Sequence, residues 1–214
     1  MNPPIIRKVD SENPEPEIIK QAAAIIQRGG VVAFPTRCLY GLGADAFDPD
    51  AVDRVLQIKQ RPTDNPILVL IDCKQRLSHL VTQIPPLAEA LMQTFWPGRL
   101  TLVFKARQTL PHQLTARSDK IGVRLAGHPV AFALAKQAGK AITGTSANLS
   151  GSPGCNRVAE LNPQITARVD LTLDGGDLIG GVGSTVVDIT EDPPRILREG
   201  QVSAEEIWNC LSQR

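Results

Sequence analysis

With 214 residues, 42% of them apolar and 21% charged, the chain is long enough to bury a core without disulfide or metal support. Its net charge of +1 speaks against a protein whose main task is coating nucleic acid or an acidic membrane, though a locally basic cleft stays open. Aromatic residues make up only 4%, too few for a platform that stacks several RNA bases.

The N-terminus, Met-Asn-Pro-Pro-Ile-Ile-Arg-Lys, has prolines and charges where a signal peptide needs an apolar stretch. The strongest apolar run, residues 67–71, is far too short to cross a bilayer. A cytoplasmic chain with no membrane partner is expected. Ile18, Ile19, Ala22, Ala23, Ile25 and Ile26 recur at helical spacing, and Gly29-Gly30 supplies the stop. Residues 31–35 read as a buried strand. Asp48 is a candidate N-cap with Pro49 at the first helical position, opening a helix to Lys59. Strands are expected over 67–71, 100–104, 121–125, 140–143, 169–173, 185–189 and 195–197, with helices over 86–95 and 129–138, the latter closed by Gly139. Ser203 and Glu206 have the spacing of a capping box ahead of a final helix carrying Ile207, Trp208 and Leu211. Strands alternating with helices throughout predict an α/β fold, and no linker or repeat divides the chain. One domain over 1–214, with its motif-bearing core at 29–200, is the expectation. Cys38, Cys73, Cys155 and Cys210 lack CxxC pairing, and His79, His112 and His128 lack ligand spacing, so neither a zinc site nor a disulfide frame is expected.

The residues that carry chemistry sit at strand ends and in Gly-rich loops, where α/β folds place ligands. Pro35-Thr36-Arg37-Cys38-Leu39-Tyr40-Gly41-Leu42-Gly43 follows a strand directly, and its glycines permit a tight turn or close approach to a ligand; an ordinary strand-to-helix turn fits too. Lys59 and Arg61, followed by Asn65-Pro66, put two cations at a helix end. They either complement the helix dipole or hold a polyphosphate. Trp96-Pro97-Gly98 makes a rigid turn. Arg124, inside the apolar strand Gly122-Val123-Arg124-Leu125, needs a carboxylate, supplied by a ligand or by an internal salt bridge. Gly144-Thr145-Ser146-Ala147-Asn148-Leu149-Ser150-Gly151 gathers hydroxyls and amides with almost no charge, suiting a nucleotide or, alternatively, a capped turn. Ser184 to Asp188 and Leu197-Arg198-Glu199-Gly200 close the series.

In order, these segments read PTxxxYGLG, KxRP then NP, WPGxxT, GVR, SANxSG, STVVD and LREG. The set resembles the YrdC-like threonylcarbamoyl-AMP synthase family from Gly29 to Gly200. The resemblance implies a YrdC-like twisted mixed sheet with flanking helices and a concave basic cavity, in the short, single-domain form. It implies condensation of L-threonine, bicarbonate and ATP, with Mg²⁺ on the phosphates, into threonylcarbamoyl-AMP and pyrophosphate. A partner transferase would then carry the threonylcarbamoyl group to tRNA. The family's catalytic set falls on Lys59, Arg61, Ser146 and Asn148. ATP-binding positions fall on these four and on Asn65, Gly154 and Arg198. Threonine-binding positions fall on Thr36, Cys38, Tyr40, Arg124, Gly144 and Ser184. Catalysis would rest on positioning and electrostatic stabilisation, with no covalent enzyme intermediate. Three departures stand out: Arg37 and Cys38 replace a carboxylate and a threonine, Leu70 stands where many relatives have histidine, and Ala126-Gly127 replaces Pro-Asp. Two further readings are a YciO-type paralogue acting on another carbamate and a non-catalytic protein that binds tRNA or double-stranded RNA.

Overall fold

The computed structural model describes residues 4–212; positions 1–3 and 213–214 of the expected domain lie outside the described residues. In chain order the elements are β1 (Ile6–Lys8), α1 (Pro16–Gln27), β2 (Val32–Pro35), β3 (Tyr40–Gly43), α2 (Pro49–Lys59), β4 (Val69–Ile71), α3 (Leu77–Leu80) and α4 (Pro86–Phe95). They continue as β5 (Leu100–Lys105), α5 (His112–Thr115), β6 (Lys120–Leu125), α6 (Pro129–Ala138), β7 (Ile142–Thr143), β8 (Thr145–Ser146), α7 (Pro163–Thr166), β9 (Leu171–Asp174), β10 (Thr185–Asp188), β11 (Arg195–Arg198) and α8 (Ala204–Ser212).

Local chemistry explains where the helices start and stop. The Asp48 carboxylate accepts from the Asp50 and Ala51 amides at 3.0 and 3.3 Å, and Pro49 needs no donor at the first position of α2. Gly139 closes α6 at φ +76, a left-handed conformation that glycine adopts without a Cβ penalty. The Ser203–Glu206 capping box forms in both directions, Glu206 N–H to Ser203 Oγ at 3.1 Å and Ser203 N–H to Glu206 Oε2 at 2.8 Å.

The strands form two mixed sheets, of order β1-β9-β2-β3-β8 and β11-β10-β5-β6-β4-β7. The mixed α/β architecture with flanking helices expected from the sequence is present, its strands divided between two sheets. The missing signal is β3, read from sequence as part of a turn. It is an antiparallel partner of β2, with Pro35 opposite Tyr40 and Val32 opposite Gly43. Its two glycines weaken strand propensity, yet Gly43 is where the Phe34 ring lies, so close that an added Cβ would meet Cε1 at 2.7 Å. The segment expected as one strand over 140–143 is divided: β7 pairs with β4 in the second sheet, and after Gly144 the chain enters the first sheet as β8 beside β3. Gly144 is therefore the crossing point between the sheets.

Two apolar clusters fix this arrangement. One face of the six-stranded sheet buries Val69, Ile71, Leu100, Leu102, Phe104, Ile121, Val123 and Val187 together with α2 and α4 side chains. The other cluster packs α1 and α6 on the five-stranded sheet through Ile19, Ala22, Ala23, Ile26, Phe34, Val130 and Leu134. Truncating a fully buried leucine or phenylalanine here costs about 2–5 kcal/mol. Among the described residues no helix is long and apolar enough to cross a membrane, and all four cysteines are free.

Candidate active site

Side chains alternate across a strand, so the face of the second sheet that turns away from its core cluster is a surface in its own right. On it lie Leu70 of β4, Thr101 and Val103 of β5, Lys120, Gly122 and Arg124 of β6, and Val186 and Asp188 of β10, with Ser184 just before that strand. These form the floor of a cavity of about 450 Å³. That volume is in the range of small-molecule sites, about 300–1,000 Å³. The walls come from the β2–β3 turn, residues 36–39, from Gly144 to Ser146, and from Arg61, Arg198 and Gln201.

Five cations line this cavity, Arg37, Arg61, Lys120, Arg124 and Arg198, against one carboxylate, Asp188. Their partners differ. The Arg124 guanidinium makes no hydrogen bond or ion pair with any described residue. Burial, with Arg198 nearby, lowers its pKa to about 10, and the group stays charged at neutral pH. Arg61 donates through Nε to the Asn65 carbonyl at 3.1 Å and through one terminal nitrogen to the Pro66 carbonyl at 2.9 Å. Arg198 donates to the Ser184 carbonyl at 2.8 Å. A guanidinium has five N–H donors, so Arg61 and Arg198 retain donors for a ligand. Lys120 is neutralised by Asp188 at 2.7 Å and Glu191 at 2.9 Å.

Lys59 sits behind the wall. It is 1% exposed, and its ammonium donates to the Ser146 carbonyl at 2.5 Å, the Asn148 carbonyl at 2.7 Å and Asn148 Oδ1 at 3.3 Å. Burial, and then Arg61, depresses its pKa to about 7. Asn148 Oδ1 also accepts from the Ser146 hydroxyl, while Asn148 Nδ2 donates to the Leu149 and Ser152 carbonyls at 2.8 and 2.6 Å. Lys59, Ser146 and Asn148 are thus one hydrogen-bonded unit that shapes the loop, with Ser146 at its cavity side. Lys59, Asn65, Asn148 and Gly154 do not line the cavity. Gly154 packs on the β2–β3 turn, where an added Cβ would meet Leu39 Cδ1 at 2.8 Å.

The residues expected on the amino-acid side all reach the cavity wall. Thr36 Oγ1 donates to the Leu39 carbonyl at 2.6 Å, closing the turn. The Tyr40 hydroxyl donates to the Gly176 carbonyl at 2.8 Å and accepts from the Gly175 amide at 3.1 Å, and burial pushes its pKa well up. Cys38 Sγ accepts from Gln201 Nε2 at 2.9 Å, and burial raises the thiol's pKa. Ser184 Oγ and Thr101 Oγ1 bond each other at 2.8 Å. Gly144 has no room for a side chain, since its Cβ would meet Leu70 Cγ at 2.6 Å.

Several lining residues were not singled out from the sequence. Lys120 could have been found, because it lies four positions from Arg124 on the same strand, and Asp188, inside the STVVD segment, lies four positions beyond Ser184, which just precedes its strand. Gln201 and His128 had no such signal. His128 caps α6 by accepting the Val130 amide at Nδ1, 3.2 Å, which leaves Nε2 as donor to Ser11 Oγ at 3.1 Å. Burial lowers its pKa to about 4, so this imidazole is neutral.

The family profile Sua5/yciO/yrdC, described as "Telomere recombination", matches residues 24–200. A protein of Pyrococcus abyssi named threonylcarbamoyl-AMP synthase is 40% identical over 195 residues, 91% of this chain and 57% of its own length. A crystal structure of P. abyssi Sua5 complexed with L-threonine superposes with a TM-score of 0.92 at 39% identity, covering 97% of this chain and 61% of that one. The chain therefore spans about six-tenths of these longer relatives. A Xanthomonas campestris protein of the same name is 36% identical over 85% of this chain and 94% of its own length. E. coli YciO matches with a TM-score of 0.86 at 30% identity over 94% of this chain and 98% of its own. By profile, sequence and fold together, this chain belongs to the Sua5/YciO/YrdC family.

Proposed function

We propose that this chain is an L-threonylcarbamoyladenylate synthase, a nucleotidyltransferase that forms threonylcarbamoyl-AMP from L-threonine, bicarbonate and ATP. The observation that carries this reading is the unpartnered Arg124 guanidinium on the floor of a cation-lined cavity. A half-buried cation without an acceptor is costly unless a ligand supplies one, and a carboxylate matches its planar fork. The name of the P. abyssi relative and the threonine in its crystal structure support the choice of amino acid. Arg124 would hold the carboxylate, leaving the amino nitrogen to carry the carbamate. Arg61 and Arg198, with donors to spare, would meet the phosphates. The carbamate oxygen would attack the α-phosphorus, and the bond to the leaving pyrophosphate would break. Ser146 faces this space, backed by Lys59 and Asn148. Asn65 and Gly154 would have to join through motion of their loops.

Among the described residues no group of three or more His, Cys, Asp or Glu could hold a metal ion. Both oxygens of Asp188 are occupied, Oδ2 by Lys120 and Oδ1 by the Thr190 amide and hydroxyl. A resident metal does not fit this donor set, and Mg²⁺ is proposed only as part of the substrate MgATP. The adenylate would pass to a separate threonylcarbamoyl transferase acting on tRNA, a sequence of reactions that belongs in the cytoplasm. The decisive test is pyrophosphate release from ATP by the purified protein. It should require both threonine and bicarbonate, and release that ignores threonine would remove the reading. A second reading, a YciO-type paralogue using another carbamate, draws support from Leu70 and Cys38 on the amino-acid side. A cavity of about 450 Å³ is sized for small molecules and does not favour non-catalytic binding of tRNA or double-stranded RNA.

A further inference from the structure

The neighbours of Arg124 say what kind of side chain belongs beside it. Leu70 on β4 is its direct cross-strand partner, so the two side chains share the cavity face. Leu70 is 1% exposed and joins Ala126 and Ala131 in one apolar cluster, with Leu68 packed against it. All four line the cavity. Leu70 and Leu68 also cover Gly144, whose added Cβ would meet Leu68 Cδ1 at 2.9 Å as well as Leu70. The neutral polar groups nearby are already engaged: Thr36 with Leu39, Tyr40 with Gly175 and Gly176, Thr101 with Ser184, and His128 with Ser11 and Val130. A ligand hydroxyl pointing at the wall formed by Leu68, Leu70, Ala126 and Ala131 would lose water and find no polar side chain among these four. A methyl group in the same place would gain burial.

We propose that the amino-acid end of this cavity is selective for small aliphatic side chains, with Leu70 as the specificity-determining residue, so that L-valine and L-2-aminobutyrate enter the reaction alongside L-threonine. The inference rests on the adenylation reading for its chemistry. The amino nitrogen and bicarbonate form the carbamate with loss of water, and the carbamate displaces pyrophosphate from ATP whichever side chain is present. Valine is threonine with a methyl in place of the hydroxyl. A site built to hydrogen-bond a hydroxyl rejects the analogue lacking it by roughly 10⁴–10⁵, whereas an apolar wall discriminates between the two only weakly.

The test is pyrophosphate release with ATP, bicarbonate and each of L-threonine, L-valine and L-2-aminobutyrate. A valine kcat/KM within roughly 100-fold of threonine, or above it, is expected, and a larger preference for threonine overturns the proposal. Leu70→Thr, which keeps a β-branched residue in the strand, should move the ratio toward threonine by at least about fivefold. An unchanged ratio in a folded variant overturns the role of Leu70, and the parent ratio stands as a test even if the variant does not fold. If no amino acid raises release above ATP and bicarbonate alone, the adenylation reading fails separately. Calorimetric titration of valine and threonine into the parent then judges the subsite. Comparable affinities uphold it; binding of threonine alone, or of neither, overturns it.

Discussion

Lys59 and Arg124 are both cations withdrawn from bulk water, and they are treated in opposite ways. Lys59 meets three oxygens of its own chain and holds the Ser146–Asn148 turn in shape. Arg124 meets none, although its strand is paired on both sides, with β4 and with β5. A buried charge saturated by the protein builds geometry, whereas a buried charge left open is a standing demand for a ligand. Stability and activity should therefore respond in opposite ways when each is removed.

The largest effect is expected at Arg124. Arg124→Gln removes the fork that would grip a carboxylate, and truncating one member of such a pair costs about 2–5 kcal/mol, or roughly 30-fold to several thousand-fold in kcat/KM for the amino acid. The melting temperature should hold or rise, because an unpartnered, desolvated charge has gone. Kinetics and a thermal melt on the same preparation check both halves. A variant that melts lower while keeping its kcat/KM would break the contrast, since Arg124 would then be structural.

At Lys59 the signs reverse. Lys59→Met keeps the length of the side chain but strands the Ser146 and Asn148 acceptors, which should cost about 2–4 kcal/mol of stability. For a chain of this size that is a fall of roughly 5–15 °C in melting temperature. Unchanged melting would mean that Lys59 is free to leave the loop for a phosphate.

His128 sharpens the same point through pH. It too is satisfied internally, and burial holds its pKa at about 4, below the ordinary 6.5. Between those values the unfolded chain binds the proton and the folded chain does not. Its contribution is therefore complete above pH 6.5 and is lost as pH falls toward 4, by at most about 1.4 kcal/mol per pH unit. His128→Asn retains a capping oxygen for α6 without a titrating ring. Urea unfolding of both proteins at pH 7 and pH 4.5 should show the parent losing more stability than the variant; equal losses would show that the imidazole charges freely in the fold.

Helix ends were legible because they are local. Asp48, Gly139 and the Ser203–Glu206 pair each act within a few residues, and each cap forms as its sequence spacing implies. The division into two sheets was hidden because β3 and β8 are short and rich in glycine and hydroxyls, and β8 finds its partner, β3, across the fold. At the site, the charged residues announced themselves one by one, but what distinguishes them did not. Nothing near Lys59 in the sequence says that Asn148, 89 positions away, will occupy it, or that no acidic residue will reach Arg124.

The smallest effect belongs to Cys38, a neutral thiol close enough to Arg124 for the guanidinium to oppose part of the rise that burial causes in its pKa. Its thiol accepts from Gln201 Nε2 and is a poor donor, so the cavity wall here offers a ligand little. In Cys38→Thr a hydroxyl would accept the same Gln201 hydrogen bond and could donate its own proton to the amino-acid substrate. One neutral hydrogen bond is worth about 0.5–1.5 kcal/mol, so threonine should bind roughly twofold to tenfold more tightly while ATP affinity stays the same. The added methyl group enters a site that is only 6% exposed, and a melt is needed to show that the turn accepts it. Titration of parent and variant with threonine at saturating ATP and bicarbonate decides the matter. No change in a folded variant would make Cys38 a space-filling residue of the β2–β3 turn. A change in ATP affinity instead would move this turn to the nucleotide side, and with it the boundary between the two halves of the cavity.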